Sequence, residues 1–398
     1  MPVLFALTYI AVPLFPSFIT LTAVTVPGIS LIPQPLALAL LGLMLLVALL
    51  TAAALLQPPR ELPPTFLPLL GWLGAGVLSA IFGFNPRGGL LFIGIFGLGI
   101  VWHLAILRFY RDRNVSRAIL WSYFASGFLA FVVAIVMVIV RQPADQYTIG
   151  HGRAIGTFIL PGELAGYLIL YLPIAYAVAR TSGSRALRGI AWSGFFVGAL
   201  ALILTFSRAG WMGFAAAVAF YVFATRSREQ ARYAVVPVIV GIAAVLFVFN
   251  AHHNPSENYT RLSIWQAAVE IIERFPLTGV GPFDFASAYA LVRSPDGDPT
   301  AFHAHSFLLT IFAEMGIIGL LAVLWAWWRF VLALRDRLRT ASPVHARLAL
   351  AVAAGLVGTW VQGAIDTVSV VIFGLWLPTM ALALVFAQYG LVEDEREY

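Results

Sequence analysis

Long apolar runs separated by short polar segments follow one another along almost the whole chain. A membrane-spanning helix needs about 20 apolar residues, because lipid offers no hydrogen-bond partner to an unpaired backbone group. By this measure the predicted spans are 4–25, 35–56, 66–84, 89–108, 118–140, 163–180, 189–206, 210–225, 233–250, 306–330, 347–364 and 370–389. A short break around Asp366 separates the last two. The pattern predicts an all-α integral membrane protein, a single polytopic domain over residues 1–398 with about twelve transmembrane helices.

The composition supports a membrane class and excludes several others. Hydrophobic residues make up 61% of the chain and charged residues only 11%, whereas a soluble domain carries about 25% charged residues. So few charges could not cover the surface of a soluble protein of 398 residues. The same numbers exclude disordered, collagen-like, nucleic-acid-binding and disulfide-stabilised classes. Cysteine is absent, so the chain has neither disulfides nor thiolate metal sites.

The placement of positive charge predicts the topology. All 24 basic residues are arginine. With a cytoplasmic N-terminus, 17 arginines fall in cytoplasmic segments, namely Arg60, Arg108, Arg111, Arg113, Arg117, Arg180, Arg185, Arg188, Arg226, Arg228, Arg232, Arg329, Arg335, Arg337, Arg339, Arg347 and Arg396. The seven predicted to lie outside are Arg87, Arg141, Arg153, Arg208, Arg261, Arg274 and Arg293. This positive-inside bias favours an even number of spans and two cytoplasmic termini.

One predicted outer loop, residues 251–305 between the ninth and tenth spans, is too long to be a simple connection. Within it, residues 260–275 have the periodicity of an amphipathic helix that ends before Pro276. The apolar face of this helix comprises Leu262, Ile264, Trp265, Ala268, Val269, Ile272 and Phe275. The segments GVGPF at 279–283 and SPDGDPT at 294–300 are typical of turns.

Three of the outer arginines are candidates for anion binding. Arg208 lies in LTFSRAGW between the seventh and eighth spans, where it either extends to the interface or binds phosphate through two parallel hydrogen bonds. Charge at a membrane edge is costly, which favours a functional role. Arg261, near the start of the loop helix, lies on a solvated face or helps to form an anion site. Arg153, in HGRAIGTF, is ambiguous by itself.

Histidines are concentrated in the predicted outer segments, namely His151, His252, His253, His303 and His305. His303 and His305 lie at the entrance to the tenth span. Two residues apart, they cannot share a helical face, so one at most is expected to point into a given site. A neutral imidazole acting as a base on a hydroxyl group is the most natural role. A metal site would need further ligands at fixed spacing, and none is evident.

Acidic residues near these histidines are interpreted as structural. Asp296 and Asp298 resemble an Asp-x-Asp metal motif, but the flanking prolines favour a turn. Glu314 lies nine residues beyond His305, which places it on the opposite face of a helix. We therefore expect Glu314 to pair with another helix and not to orient His305.

The order and spacing of several motifs over residues 150–325 resemble one family, the O-antigen ligase and O-antigen polymerase superfamily of bacterial membrane glycosyltransferases. The similar stretches are FSRAGW at 206–211, RLSIWQAAVEIIERFPLTGVGPFDF at 261–285, HSFLLTIFAEMGIIGL at 305–320 and, more loosely, RAIGTFILPGELAGYL at 153–168. The chain departs from the family pattern at His305-Ser306, where many members have His-Asn, and it adds His303 upstream. Which of the two histidines acts as the base is therefore left open.

The resemblance implies a C-type membrane glycosyltransferase fold and an inverting enzyme without a metal or other cofactor. Members of the family transfer a glycan from undecaprenyl pyrophosphate to a hydroxyl acceptor at the periplasmic face of the bacterial inner membrane. Carried over by position, His305 would be the catalytic base, and Arg208 and Arg261 would bind the pyrophosphate. Arg153 and His303 are further substrate-binding candidates.

The sequence is compatible with three functions. The first is a ligase that transfers a glycan en bloc to lipid A core or another surface glycoconjugate. The second is a polymerase of the same superfamily, which would share the donor chemistry. The third is a transporter or flippase, which is disfavoured because no internal repeat is evident and the polar residues gather in one outer loop. The expected partners are a lipid-linked glycan donor, a hydroxyl acceptor glycan or glycolipid, and membrane lipids, without nucleic acid.

Overall fold

A computed structural model describes residues 1–14, 62–84, 86–158, 160–226, 256–366 and 374–392, and all regular secondary structure in these ranges is helical. The helices are α1 (Pro2–Leu14), α2 (Phe66–Phe82), α3 (Pro86–Phe109), α4 (Arg113–Val140), α5 (Ala144–Ile149), α6 (Pro161–Thr181), α7 (Arg185–Leu204), α8 (Arg208–Thr225), α9 (Ser256–Arg274), α10 (Phe285–Val292), α11 (Phe307–Leu338), α12 (Pro343–Ile365) and α13 (Trp376–Tyr389). The predicted all-α class is confirmed for these residues.

Six of the helices are long and apolar enough to cross a membrane, namely α4, α6, α7, α11, α12 and the Gly88–Phe109 part of α3. Large apolar side chains on their outer surfaces, such as Ile139 and Phe196, are exposed, as expected for contact with lipid. Two of the predicted spans, 35–56 and 233–250, and most of 4–25 lie outside the described residues. The total of twelve spans therefore stays a prediction.

Several helices begin at a small polar residue whose side chain caps the first turn. The Asp112 carboxylate accepts the N–H of Asn114 at 2.8 Å at the start of α4, and the Ser184 hydroxyl caps α7. Ser207 accepts the N–H of Gly210 at 3.1 Å at the start of α8. Ser342 caps α12, where Pro343 occupies the first helical position.

Three helices that carry site residues, α6, α8 and α12, pack closely through small residues. A side-chain carbon at Gly213 of α8 would lie 2.6 Å from the carbonyl oxygen of Gly358 on α12. A side-chain carbon at Gly210 would lie 2.5 Å from Ala165 Cβ on α6. The helix backbones are therefore in direct contact. Between membrane helices lipid gives no hydrophobic driving force, so such close packing through small residues is what holds them together. This contact fixes the start of α8 against α6 and α12.

The predicted amphipathic helix is present as α9, which begins at Ser256 and not at Thr260. Together with α10 it forms a small second core against α11, and the core contains Ile264, Ala267, Ala268, Ile271, Val280, Phe285, Ala288, Tyr289, Ala301, Ala304 and Ala313. Leu262 and Val269, which the sequence pattern assigned to the apolar face, are exposed among the described residues. The buried face is thus narrower than predicted and centres on Ala268.

The turn that follows α9 is inserted into a break in α11. At Gly316 the backbone is non-helical, with φ 62° and ψ −168°. The turn and the broken helix exchange backbone hydrogen bonds, which join Val280 N to Ala313 O at 3.1 Å, Gly281 N to Glu314 O at 2.9 Å and Ile317 N to Pro276 O at 2.9 Å. The break leaves carbonyl and N–H groups of α11 without partners in the helix. Backbone groups of the turn form the missing hydrogen bonds.

The acidic residues behave as the sequence predicted. The Glu314 carboxylate accepts the N–H of Phe285 at 3.3 Å and so joins α11 to the start of α10. In the segment 294–300, Gly297 N donates to Ser294 O at 2.9 Å, and Asp298 accepts the N–H of Thr300 at 2.8 Å. Both the structural role of Glu314 and the turn at Asp296–Asp298 are confirmed.

The inserted turn predicts a strong effect of Gly279→Ala on stability. Gly279 has φ 69°, and a side-chain carbon there would overlap the Glu314 carbonyl group. A left-handed conformation at a residue other than glycine costs about 1–3 kcal/mol, and the overlap adds to this. We expect a clearly lower thermal unfolding midpoint in detergent. Gly74→Ala is the control, because no atom in the described part of the chain lies within 4 Å of its added carbon. Equal midpoints for the two variants would contradict the insertion.

The predicted topology is testable in this cysteine-free chain with an impermeant maleimide. Tyr259, at the start of α9, is 74% exposed. Thr340, between α11 and α12, is exposed beyond the other end of α11. We expect Tyr259→Cys to react in intact spheroplasts and Thr340→Cys to react only after permeabilisation. The reverse pattern would contradict a periplasmic loop.

Candidate functional site

His305 lies in the segment just before α11, and its backbone has a positive φ of 46°. A left-handed conformation is costly for a residue with a side chain and persists only where its surroundings fix it, which is common at functional sites. The imidazole is 28% exposed, and its Nδ1 lies 3.3 Å from Oδ1 of Asp366. Asp366 directly follows α12 as its C-terminal cap. The ends of α11 and α12 thus meet at one His–Asp pair.

The surroundings of Asp366 favour the carboxylate form. Burial alone would raise its pKa, but the hydrogen bond from His305 and the nearby His305, Arg261 and His303 bring the pKa below its ordinary value. A carboxylate only accepts hydrogen bonds, so Nδ1 of a neutral His305 must carry the proton. The other ring nitrogen, Nε2, is then an unprotonated acceptor.

His303 is buried behind His305. Its Nδ1 accepts the backbone N–H of His305 at 3.1 Å, and the two rings are in edge contact with centroids 4.4 Å apart. Burial, together with the neighbouring His305, lowers the pKa of His303 to about 3, so this ring is neutral. The helical-face argument for the two histidines does not apply, because both precede α11 and their rings are in contact; the expectation that one at most faces a given site stays a prediction.

The side chain of Arg261, on α9, extends to the end of α12 beside the His305–Asp366 pair. Its Nη1 donates to the carbonyl oxygen of Ile365 at 2.8 Å, and Ile365 is the last residue of α12. A cation is favoured at the C-terminal end of a helix, where carbonyl groups lack helical partners. Arg261 therefore lies beside Asp366. The sequence grouped Arg261 with His305, and the fold brings both to the end of α12.

Arg153 and Arg208 both lie at the turn before α8. Arg208 is the first residue of α8 and follows the capping Ser207. Arg153 Nε donates to Thr205 O at 2.8 Å, and its Nη2 donates to Phe206 O at 3.1 Å. Phe206 itself has a positive φ of 46°. Arg153 thus holds the turn from which Arg208 extends.

The first turn of α6 links this turn to the His–Asp pair. A side-chain carbon at Gly162 would lie 3.1 Å from Oδ2 of Asp366, and Gly162 O accepts the side-chain N–H of Gln362 at 2.9 Å. One turn further along α6, Ala165 contacts Gly210 of α8. The starts of α6 and α8 and the end of α12 therefore lie at one end of the bundle, which we call the site end.

Sequence reasoning missed Asp366 as a partner of His305. It recognised this residue only as a break between the eleventh and twelfth spans. The available signal was an acidic side chain beside an apolar span, on the same predicted side of the membrane as His305. Gln362 and Gly162 gave no comparable signal, because an amide or a glycine within an apolar run is compatible with many roles.

The arrangement combines a proton acceptor with cationic and N–H donors. Nε2 of His305 is available to accept a proton, and Asp366 stabilises the ring after it has done so. Arg261 and the N-terminal ends of α6 and α8 favour an anion. Among the described residues, no group of three or more His, Asp or Glu side chains is arranged to hold a metal ion. The predicted independence of metal continues to rest on the resemblance.

Comparison with known families identifies the central part of the chain. Residues 193–324 match the family model described as O-antigen ligase. No curated protein matches the chain. The matched region contains Arg208, Arg261, His303 and His305, whereas Arg153 and Asp366 lie outside it. With six membrane-length helices in the described residues, the chain is a multi-pass membrane protein, and its residues 193–324 are similar to the O-antigen ligase family of the O-antigen ligase and polymerase superfamily.

Proposed function

We propose that the protein is a glycosyltransferase that moves a glycan en bloc from undecaprenyl pyrophosphate to a hydroxyl acceptor. The reaction would occur at the periplasmic face of the bacterial inner membrane, invert the anomeric centre and need no metal ion. The observation that carries this proposal is the hydrogen bond between His305 and Asp366 beside Arg261. It provides an oriented base and a fixed cation within a family of lipid-linked glycan enzymes.

The base step uses the free nitrogen of His305. As the acceptor oxygen attacks the anomeric carbon, Nε2 takes the hydroxyl proton, and the bond from that carbon to the pyrophosphate oxygen breaks. The pyrophosphate leaves with the electron pair, and attack from the opposite face inverts the configuration. Asp366 keeps Nδ1 protonated before the transfer and stabilises the imidazolium that forms. Asp366 is therefore a positioning residue and His305 the catalytic residue.

The leaving group needs positive charge aimed at it. Negative charge grows on the pyrophosphate as the glycosidic bond breaks, and fixed cations in a water-poor site stabilise that change. Arg261 and Arg208 are suited to this, because a guanidinium donates two parallel hydrogen bonds to phosphate. Arg153 supports the turn that carries Arg208 and remains a candidate for direct contact. Burial favours a positioning role for His303, which supports the backbone of His305.

The acceptor distinguishes the remaining candidates. We favour a ligase that acts on lipid A core or another surface glycoconjugate, whereas a polymerase would use the same donor site with a second lipid-linked glycan. Purified protein, a lipid-pyrophosphate glycan and each acceptor class provide the test. A single increment of the full donor glycan indicates a ligase, and a ladder of products indicates a polymerase. Movement of the intact lipid donor across vesicles without transfer would instead support a flippase.

The His–Asp pair makes a specific kinetic prediction. His305→Ala should reduce kcat by about 10²–10⁴-fold, the usual contribution of a general base. Asp366→Asn should reduce kcat by about 10²-fold, since it disturbs ring orientation and tautomer. Neither change should weaken donor binding, because the arginines hold the pyrophosphate. The double variant should be little worse than His305→Ala alone, because Asp366 acts through that ring.

His151→Ala is the matched control, since His151 is an exposed histidine in another predicted outer segment. It should retain full turnover. Normal turnover by His305→Ala, with loss of turnover in His303→Ala, would move the base two residues upstream. Normal turnover by both variants would exclude the base mechanism.

The arginines make a separate prediction on donor binding. Arg208→Lys and Arg261→Lys should each raise the KM for the lipid donor by about tenfold or more, because a hydrogen bond to a charged group contributes about 1.5–3 kcal/mol. Arg274→Lys, on the same helix as Arg261 and paired with Glu270 on an exposed face, should leave KM unchanged. The rate should persist in excess chelator. Unchanged KM in both site variants, or a strict requirement for a divalent ion, would contradict the proposed anion site.

A further inference from the structure

We propose that Gly162 and Gln362 position the Asp366 carboxylate and, through it, the His305 base. This inference rests on the proposed function, because it extends the His–Asp pair by one more layer of contacts. In this arrangement the two oxygens of the Asp366 carboxylate contact different parts of the protein. Oδ1 faces His305, and Oδ2 faces the first turn of α6.

Gly162 provides the space for the second oxygen. It follows Pro161 at the start of α6, and a side-chain carbon there would lie 3.1 Å from Oδ2 of Asp366. Apart from its chain neighbours and the backbone of its own helix, no other heavy atom of the described residues would lie within 4 Å. That distance is shorter than ordinary van der Waals contact, so a methyl group would push the carboxylate. Gly162 lies in a regular helix with ordinary backbone angles, so its backbone does not demand glycine. The reason for glycine at this position is the room it leaves for Asp366.

Gln362 fixes the distance between Gly162 and Asp366. It lies on α12 one turn before Asp366, it is fully buried, and its Nε2 donates to Gly162 O at 2.9 Å. Its Oε1 has no hydrogen-bond partner among the described residues. Burial of an amide oxygen without a partner is unfavourable, and an apolar side chain of similar size would avoid it. The amide is therefore best explained by the bond that its N–H makes to α6.

These contacts control the orientation of the base. The His305–Asp366 hydrogen bond is already long at 3.3 Å, so a shift of a few tenths of an ångström at Asp366 weakens it further. The carboxylate also lies at the N-terminal end of α6, where negative charge is favoured. Gly162 and Gln362 thus hold Asp366 at a set distance from α6, and Asp366 in turn orients the ring of His305.

The sharpest test combines Gly162→Ala with Asp366→Ala in a double-mutant cycle. Gly162→Ala alone should lower kcat about tenfold, with donor KM and thermal midpoint unchanged. In the Asp366→Ala background the same glycine change should have no further effect, because the Oδ2 atom that the methyl group meets has gone. Gly189→Ala is the control, since no atom of the described residues lies within 4 Å of its added carbon, and it should keep full activity.

A second variant, Gln362→Leu, tests the same inference even if Gly162→Ala does not fold. Gln362→Leu should lower kcat about threefold to tenfold without changing donor KM, and its effect should also disappear in the Asp366→Ala background. Thr359→Val is the matched control, because Thr359 is buried one turn earlier on α12 and its hydroxyl donates, among the described residues, to Gly355 O of the same helix. Thr359→Val should retain normal turnover.

The outcomes separate this inference from the function on which it rests. Losses that are equal in the wild-type and Asp366→Ala backgrounds would show that Gly162 and Gln362 act on stability alone, and the inference would be overturned. Full activity of Gly162→Ala and Gln362→Leu would overturn it as well, even when His305→Ala and Asp366→Asn are inactive. Full activity of His305→Ala and Asp366→Asn would instead overturn the proposed function.

Discussion

A polar group buried in an apolar helical bundle is stabilised by a partner inside the protein, and this constraint determines where the candidate site lies. Helix ends and helix breaks are the places where a bundle offers unpaired carbonyl and N–H groups. Arg261 donates a hydrogen bond to the last carbonyl oxygen of α12, and Arg153 donates to two carbonyl oxygens just after α7. Arg261 and Arg153 are therefore held at one end of the bundle, the site end, where the proposed anionic donor and hydroxyl acceptor would bind.

The same constraint explains the glycine-rich turn after α9. A break in α11 at Gly316 would expose backbone groups in an apolar setting, and the turn around Gly279 satisfies them by entering the break. Glycine is required on both sides because each backbone has a positive φ and lies against the other chain segment. The insertion joins the loop that carries Arg261 to the helix that His305 precedes. The position of Arg261 relative to His305 in the candidate site thus depends on a contact deeper in the bundle.

Much of this could be predicted from local sequence. Helix periodicity, the end of α9 before Pro276 and the turn at 294–300 depend on neighbours within a few residues, and the structure agrees with these predictions. The motif order also predicted the similarity to the O-antigen ligase family that is found over residues 193–324, and it grouped Arg208, Arg261 and His305. The helical-face argument for His303 and His305 did not apply, because it treated both residues as helical, whereas α11 begins at Phe307.

The sequence by itself therefore determined the helical membrane class, most helix boundaries and the residue types that bear the chemistry, since each depends on local periodicity or on a short motif. The tertiary structure alone decided which residues are partners. His305 meets Asp366 across 61 residues, Arg261 meets Ile365 across 104, and Gln362 meets Gly162 across 200. Such pairs follow from how α6, α9, α11 and α12 pack, and no local pattern encodes that packing.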